Sequence, residues 1–303
     1  LGKSPSPRVL RETFAKVKPK LVLAVPLILE KIVTRNVLPK LETGAASVLK
    51  KIPLVNAVVH KKVRNSMMEF FGGNLVEVVL GGAALNADVE RFLRKIRFPY
   101  SVGYGMTECA PLISYTFCTR FKERSSGQVV DRMRVKIDSP DPEHITGEIL
   151  VKGTNVMLGY YKNEEATKEA FTDDGWLKTG DLGTLDKDNF VFIRGRDKNL
   201  ILGASGQNIY PEEIEERLNA SPYVEESLAI EQEGKIIALI FPNKEAIAEN
   251  NIPESELYDL FQEVLNEVNE KLPAYSRLTS FQLREEEFEK TPKRSIKRFL
   301  YQS

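Results

Sequence analysis

Apolar residues fall into short continuous runs early in the chain and into alternating or helical patterns later. Leu21 to Val25 is one such run, and the Pro26 that follows suits a first helical turn, so Leu27 to Val33 reads as the helix of a βα unit. From Leu38 to Phe71, Val55, Val58, Val59, Val63 and Met67 recur at helical spacing among Lys61, Lys62 and Arg64. That pattern predicts an amphipathic helix, packed on the domain or lying on a membrane surface. Leu75 to Leu85 reads as a continuous apolar strand ending in a glycine pair, with a helix from about Asn86 to Lys95. Another short strand begins at Tyr100 and breaks at Gly103 and Gly105. Two successive strands with glycine-rich ends mark the carboxyl edge of a parallel sheet, where ligands bind.

After about Gln128 the texture turns to β. Gln128 to Asp138 and Gly147 to Gly153 read as strands, and a short helix follows in Leu158 to Phe171. Gly175 to Asp186 and Phe190 to Arg196 form a hairpin-like pair around the turn Asp186-Lys187-Asp188-Asn189. Here Trp176 reads as core, and Thr179-Gly180-Asp181 as a turn that puts a carboxylate at a strand end. Beyond Asn199 the order strand, loop, helix, strand, strand, helix, strand, helix predicts a separate α+β domain. Its marks are Pro211 with Glu212 and Glu213 at a helix start, a hairpin at Glu233-Gly234, a periodic helix in Ser255 to Leu272 and a basic tail from Thr291. The domains expected are therefore residues 1–197, with a β-rich subdomain over about 120–197, and 198–303.

Charge narrows the partners. Forty-three basic and 43 acidic side chains cancel, so no global field recommends nucleic acid. Cys109 and Cys118 are too few for a disulfide framework, which fits a reducing cytoplasm, and with only His60 and His144 neither a His-rich zinc site nor a Ser-His-Asp triad is expected. No apolar run reaches the length of a membrane span. The first residues, LGKSPSPRVL, lack a methionine and read as a cut.

Five segments carry chemistry in a fixed order: YGMTE (Tyr104 to Glu108), GEILVKGTNVMLGYYKN (Gly147 to Asn163), GWLKTGDLG (Gly175 to Gly183), GRDKNLI (Gly195 to Ile201) and SGQNIYPEEIE (Ser205 to Glu215). In order and approximate spacing they resemble the adenylate-forming enzymes, the superfamily of acyl-CoA synthetases, peptide-synthetase adenylation domains and luciferases. PKLVLAVPLILEKI, GGAAL and GYGMTE are most similar to the long-chain fatty acid:CoA ligase branch. The resemblance implies an α/β plus α+β fold: part of a large domain carrying a mixed sheet, helices and the β-rich subdomain, then a small mobile α+β domain. It also implies ATP, Mg2+ and coenzyme A as reactants and cofactor. A carboxylate attacks ATP to give an acyl-adenylate and pyrophosphate, and the thiol of coenzyme A then displaces AMP.

The implied roles agree with physical need. Tyr104 would lie against adenine, with Gly81, Gly82, Ala83 and Gly105 as close backbone, because a flat base wants an aromatic face. Thr107 would meet the phosphate, and Glu108 would hold Mg2+, which prefers hard oxygen donors. Asp181 would accept both ribose hydroxyls, each bond contributing on the order of 1.5–3 kcal/mol, and Arg196 would reach the same sugar. Lys198 matches the hinge of the small domain. Ser205, Gly206, Gln207 and Asn208 match the loop on the coenzyme A side.

Two departures stand out. Aligning Thr291-Pro292 with Ile296, Lys297 and Arg298 places Ser295 where the family carries its adenylation lysine; Lys293 and Lys297 flank it, and either flexible ammonium could substitute. The Ser/Thr/Gly-rich phosphate loop ending in Pro-Lys-Gly is absent from these residues. The chain is therefore expected to be the carboxyl-terminal part of a longer ligase and inactive alone. A ligase for an aryl or shorter acid, and a non-catalytic nucleotide-binding module, stay open as alternatives. The expected partners are a fatty acid and a nucleotide, in the cytoplasm, with peripheral membrane contact and oligomeric state open.

Overall fold

The computed structural model describes residues 7–38, 53–203, 206–291 and 295–302. The chain divides into two units, Leu1–Thr179 with Gly183–Ile193, and Gly180–Leu182 with Arg194–Ser303.

The first unit opens with α1 (Pro7–Val17), β1 (Leu21–Ala24) and α2 (Pro26–Lys31), which continues as a π-helical stretch over Ile32–Val37. Pro26 occupies the first helical turn, where its missing N–H costs nothing. Next come α3 (Pro53–Phe70), β2 (Glu77–Leu80), α4 (Ala87–Lys95) and β3 (Tyr100–Val102). β1, β2 and β3 form a parallel sheet in that order, with Leu21 opposite Glu77 and Leu80 opposite Val102. The core of this sheet gathers Leu29, Val33, Phe71, Leu80, Val89 and Leu93. β2 is shorter than the apolar run Leu75 to Leu85, because pairing stops where the glycine pair bends the chain away. Asn86 caps α4, accepting from the backbone N–H groups of Asp88 (3.0 Å) and Val89 (3.1 Å).

Then β4 (Tyr104–Gly105), a 3-10 turn over Thr107–Cys109 and β5 (Leu112–Ser114) form a short antiparallel pair. β6 (Met133–Asp138), β7 (Gly147–Gly153), β8 (Leu177–Leu185) and β9 (Val191–Arg196) form a four-stranded sheet in chain order, with α5 (Glu164–Ala170) between β7 and β8. Two local expectations are corrected here. Thr179-Gly180-Asp181 is no turn but lies inside β8, where Gly180 adopts a φ of +69°. A strand bonded on both sides gives up local turn propensity to the ladder. Trp176 is half-buried rather than core, its ring lying 4.8 Å from the Lys136 ammonium and 5.9 Å from the Arg134 guanidinium.

The second unit contains β10 (Ile201–Leu202), β11 (Asn208–Ile209), α6 (Pro211–Leu218), β12 (Val224–Gln232), β13 (Lys235–Pro242), α7 (Lys244–Glu249), α8 (Leu257–Glu270) and β14 (Ser280–Leu283). β12 and β13 are a hairpin; β14 returns parallel to β13 because α8 carries the chain back across the sheet. Compared with the sequence reading, α7 is an added helix, and the tail ends in a 3-10 turn over Arg298–Leu300.

Arg298 ties that tail to the small domain. Its Nη2 donates to Glu215 Oε1 (2.6 Å) and its Nη1 to the Ala229 carbonyl (2.8 Å), while Ala229 N–H donates to the same Glu215 oxygen (2.7 Å). Burial pushes the Glu215 carboxyl up to about 7, against the opposing pull of Arg298. Removing the cation leaves a buried carboxylate uncompensated, so Arg298→Ala should destabilise this unit by about 3–5 kcal/mol at pH 8. A carboxyl whose folded pKa lies above its unfolded one adds stability at low pH and loses it as pH rises. The deficit should therefore shrink at pH 5, where Glu215 takes up a proton. Urea denaturation of both proteins at the two pH values checks this; equal deficits would contradict it.

Candidate functional site

In the first unit, the parallel register sets the carboxyl ends of β2 and β3 side by side. Gly81 N–H donates to the Ala24 carbonyl (3.1 Å) and Gly103 N–H to the Leu80 carbonyl (2.8 Å). A Cβ on Gly81 would lie 3.7 Å from the Gly103 carbonyl oxygen, so the Gly81-Gly82-Ala83 stretch and the segment leading into Tyr104 are neighbours. Tyr104 is buried in β4 opposite Ser114. Gly105 is required by close approach: a Cβ there would meet the Pro111 carbonyl oxygen at 1.8 Å.

Thr107 and Glu108 follow on the 3-10 turn, Thr107 exposed and Glu108 half-buried. Glu108 has a partner that the sequence reading missed: Tyr160 Oη donates to its Oε1 at 3.0 Å. Burial, and secondarily Glu108 itself, raise the Tyr160 hydroxyl pKa, which keeps that hydroxyl a donor. Backbone bonds run the same way, from Met157 N–H to the Glu108 carbonyl (2.7 Å). Cys109 next door is fully buried, and burial raises its thiol to about 11, an inert structural cysteine.

In the second unit, Asp181 and Arg196 meet. Asp181 is 5% exposed, and Arg196 Nε lies 2.9 Å from its Oδ1. Lys198 is exposed on the 3-10 turn Asp197–Asn199. The residue after it is fixed, Asn199 Nδ2 donating to Glu212 Oε1 (2.6 Å), which ties the segment after β9 to the start of α6. Gly206, Gln207 and Asn208 are exposed at the tip and return arm of the β10–β11 hairpin, closed by Gly203 N–H to the Gln207 carbonyl (2.9 Å). Ser205 and Lys293 lie outside the described residues. Near the tail, Lys290 bridges Ile296, Thr291 N–H donates to the Ser295 carbonyl (2.8 Å), and Lys297 Nζ pairs with Glu289 (3.0 Å). Lys297 is thus held beside the Lys290–Ile296 bridge by its pairing with Glu289.

The model of the AMP-binding enzyme matches residues 2–161, and that of the AMP-binding enzyme C-terminal domain matches residues 197–302. The chain belongs to the AMP-binding enzyme family.

Within the family, the chain is similar to the long-chain-fatty-acid–CoA ligase FadD15 of Mycobacterium bovis, 36% identical over 180 residues, which is 59% of this chain and 28% of that protein. The fold is shared with o-succinylbenzoate CoA synthetase (MenE) of Bacillus subtilis in complex with its acyl-adenylate intermediate OSB-AMP. There the TM-score is 0.70 at 24% identity, over 98% of this chain and 53% of that one. It is also shared with the adenylation domain of a Mycobacterium chelonae carboxylate reductase, at a TM-score of 0.77 and 21% identity, over 99% and 47%. The matched part thus covers 28% of the mycobacterial ligase, and the chain spans about half of each solved structure. No helix among the described residues is long and apolar enough to cross a membrane.

Gly105→Ala and Gly180→Ala separate crowding from strain at two of the chain's glycines. A methyl group added at Gly180 would meet nothing within 4 Å, so alanine there faces only the positive φ, about 1–2 kcal/mol. Gly105→Ala must push the Pro111 backbone aside and should cost more, about 3 kcal/mol. Thermal or urea midpoints of the two variants test the order.

Proposed function

We propose that the full-length protein is an ATP-dependent ligase that joins long-chain fatty acids to coenzyme A through an acyl-adenylate. The observation that carries the reading is the buried Asp181 carboxylate held by Arg196 at 2.9 Å. An oriented anion of this kind suits a pair of vicinal hydroxyls, to which it offers charge-assisted bonds. Arg196 in this reading both orients Asp181 and reaches the sugar. Long-chain specificity draws its support from the likeness to FadD15.

On the first unit, the Tyr104 ring would face the base, with Gly81, Gly82, Ala83 and Gly105 allowing close backbone approach, and Thr107 would donate to a phosphate. The donor set fits Mg2+: Glu108 keeps an oxygen, Oε2, without a hydrogen bond among the described residues while Tyr160 holds Oε1. Phosphate oxygens and water would complete the shell of such an ion, which supplies charge neutralisation on the phosphates when bound. Lys198 serves as hinge, and Ser205, Gly206, Gln207 and Asn208 serve the coenzyme A side. Lys293 substitutes for the lysine that Ser295 displaces, because Lys297 is paired with Glu289.

Ser295 itself favours a second reading, a nucleotide-binding module that forms no adenylate. Acid-dependent pyrophosphate release by the full-length protein separates the two. Palmitate with ATP, Mg2+ and coenzyme A should exceed acetate and benzoate by about 100-fold, and Lys293→Ala should lower the rate more than Lys297→Ala. Release favouring benzoate or acetate would move the specificity to another acid, and no release with any acid would favour the module.

A further inference from the structure

We propose that Tyr160 is a positioning residue for Glu108, setting the carboxylate so that its free oxygen can take the divalent cation of a bound nucleotide. The proposal rests on the reading of Glu108 as the metal-holding residue.

The segment from Asn155 to Tyr160 runs as a strap against the turn that carries Glu108, and polar bonds help to hold it there. Asn155 Nδ2 donates to the carbonyls of Cys109 (2.6 Å) and Leu112 (3.0 Å), Met157 N–H donates to the Glu108 carbonyl (2.7 Å), and Tyr160 Oη donates to Glu108 Oε1 (3.0 Å). Val156 and Met157 pack against the neighbouring core, while Leu158 at the crest is fully exposed. The far end of the strap is fixed independently. Tyr160 N–H donates to Thr167 Oγ1 (2.9 Å), whose hydroxyl donates to the Asn163 carbonyl (2.7 Å), and Asn163 caps α5 through Ala166 N–H (3.0 Å). The phenol is therefore anchored to a helix start on one side and aimed at one carboxylate oxygen on the other.

A glutamate has three rotatable side-chain bonds, and a carboxylate offers about four acceptor positions on two oxygens. One donor on Oε1 selects a rotamer and leaves Oε2 for a cation. Groups that orient a metal's ligand in this way commonly change metal affinity about 10-fold or more when removed.

The test uses the full-length protein with Mn2+ and α,β-methylene-ATP, which cannot release pyrophosphate, and Mn2+ binding read by electron paramagnetic resonance. Tyr160→Phe keeps the ring and removes only the hydroxyl. It should weaken Mn2+ binding about 10-fold, with the affinity for metal-free AMP and the thermal midpoint unchanged; Glu108→Gln should weaken Mn2+ binding at least as much. Wild-type Mn2+ binding by Tyr160→Phe beside weakened binding by Glu108→Gln overturns the proposal and leaves the reading of Glu108 standing. Equal losses of Mn2+ and AMP affinity in Tyr160→Phe also overturn it, since that is a structural effect. Wild-type Mn2+ binding by Glu108→Gln removes the reading, and the proposal with it.

Discussion

An ionised carboxylate 5% exposed is costly unless it is paired, and Arg196 Nε at 2.9 Å makes Asp181 tolerable in the middle of β8. The local backbone serves that pair. Gly180 turns the strand at a φ of +69° just before Asp181, and Arg196 closes β9 in the strand beside it. Asn199 then fastens the next residues to Glu212. The pair fixes a buried carboxylate at one place and orientation in the sheet.

Much of this was legible in the chain. Apolar runs ending in glycine located the strand ends at Gly81 and Gly103, and the parallel register places them together as expected. Pro211, the Glu233-Gly234 hairpin and the helix start near Asn86 were also readable, because each is decided by residues within a few positions. Thr179-Gly180-Asp181 was misread for the opposite reason: a turn-like tripeptide becomes strand once β7 and β9 flank it. The Trp176 ring, read as core, instead serves as a platform for Lys136 and Arg134, a surface arrangement that hydrophobicity alone does not signal.

The side-chain pairs that matter most lay beyond sequence reasoning. Tyr160 and Glu108 are 52 residues apart, and Arg298 and Glu215 are 83 apart. No period or spacing connects such positions; only the packed fold does. Both pairs have the same form, a donor from a late segment fixing a carboxylate on an earlier one. The tail carrying Ser295 and Lys297 is thereby anchored at Arg298. The family models match both parts of the chain, and solved structures of the same fold include an o-succinylbenzoate CoA synthetase and a carboxylate reductase adenylation domain.

If Asp181 binds the ribose of a nucleotide, calorimetric binding of AMP and 2′,3′-dideoxy-AMP to the full-length protein and to Asp181→Asn is the most direct measurement. Wild type should favour AMP by about 10-fold or more, and Asp181→Asn should lose most of that preference. Equal affinity of the wild-type protein for the two nucleotides would contradict it.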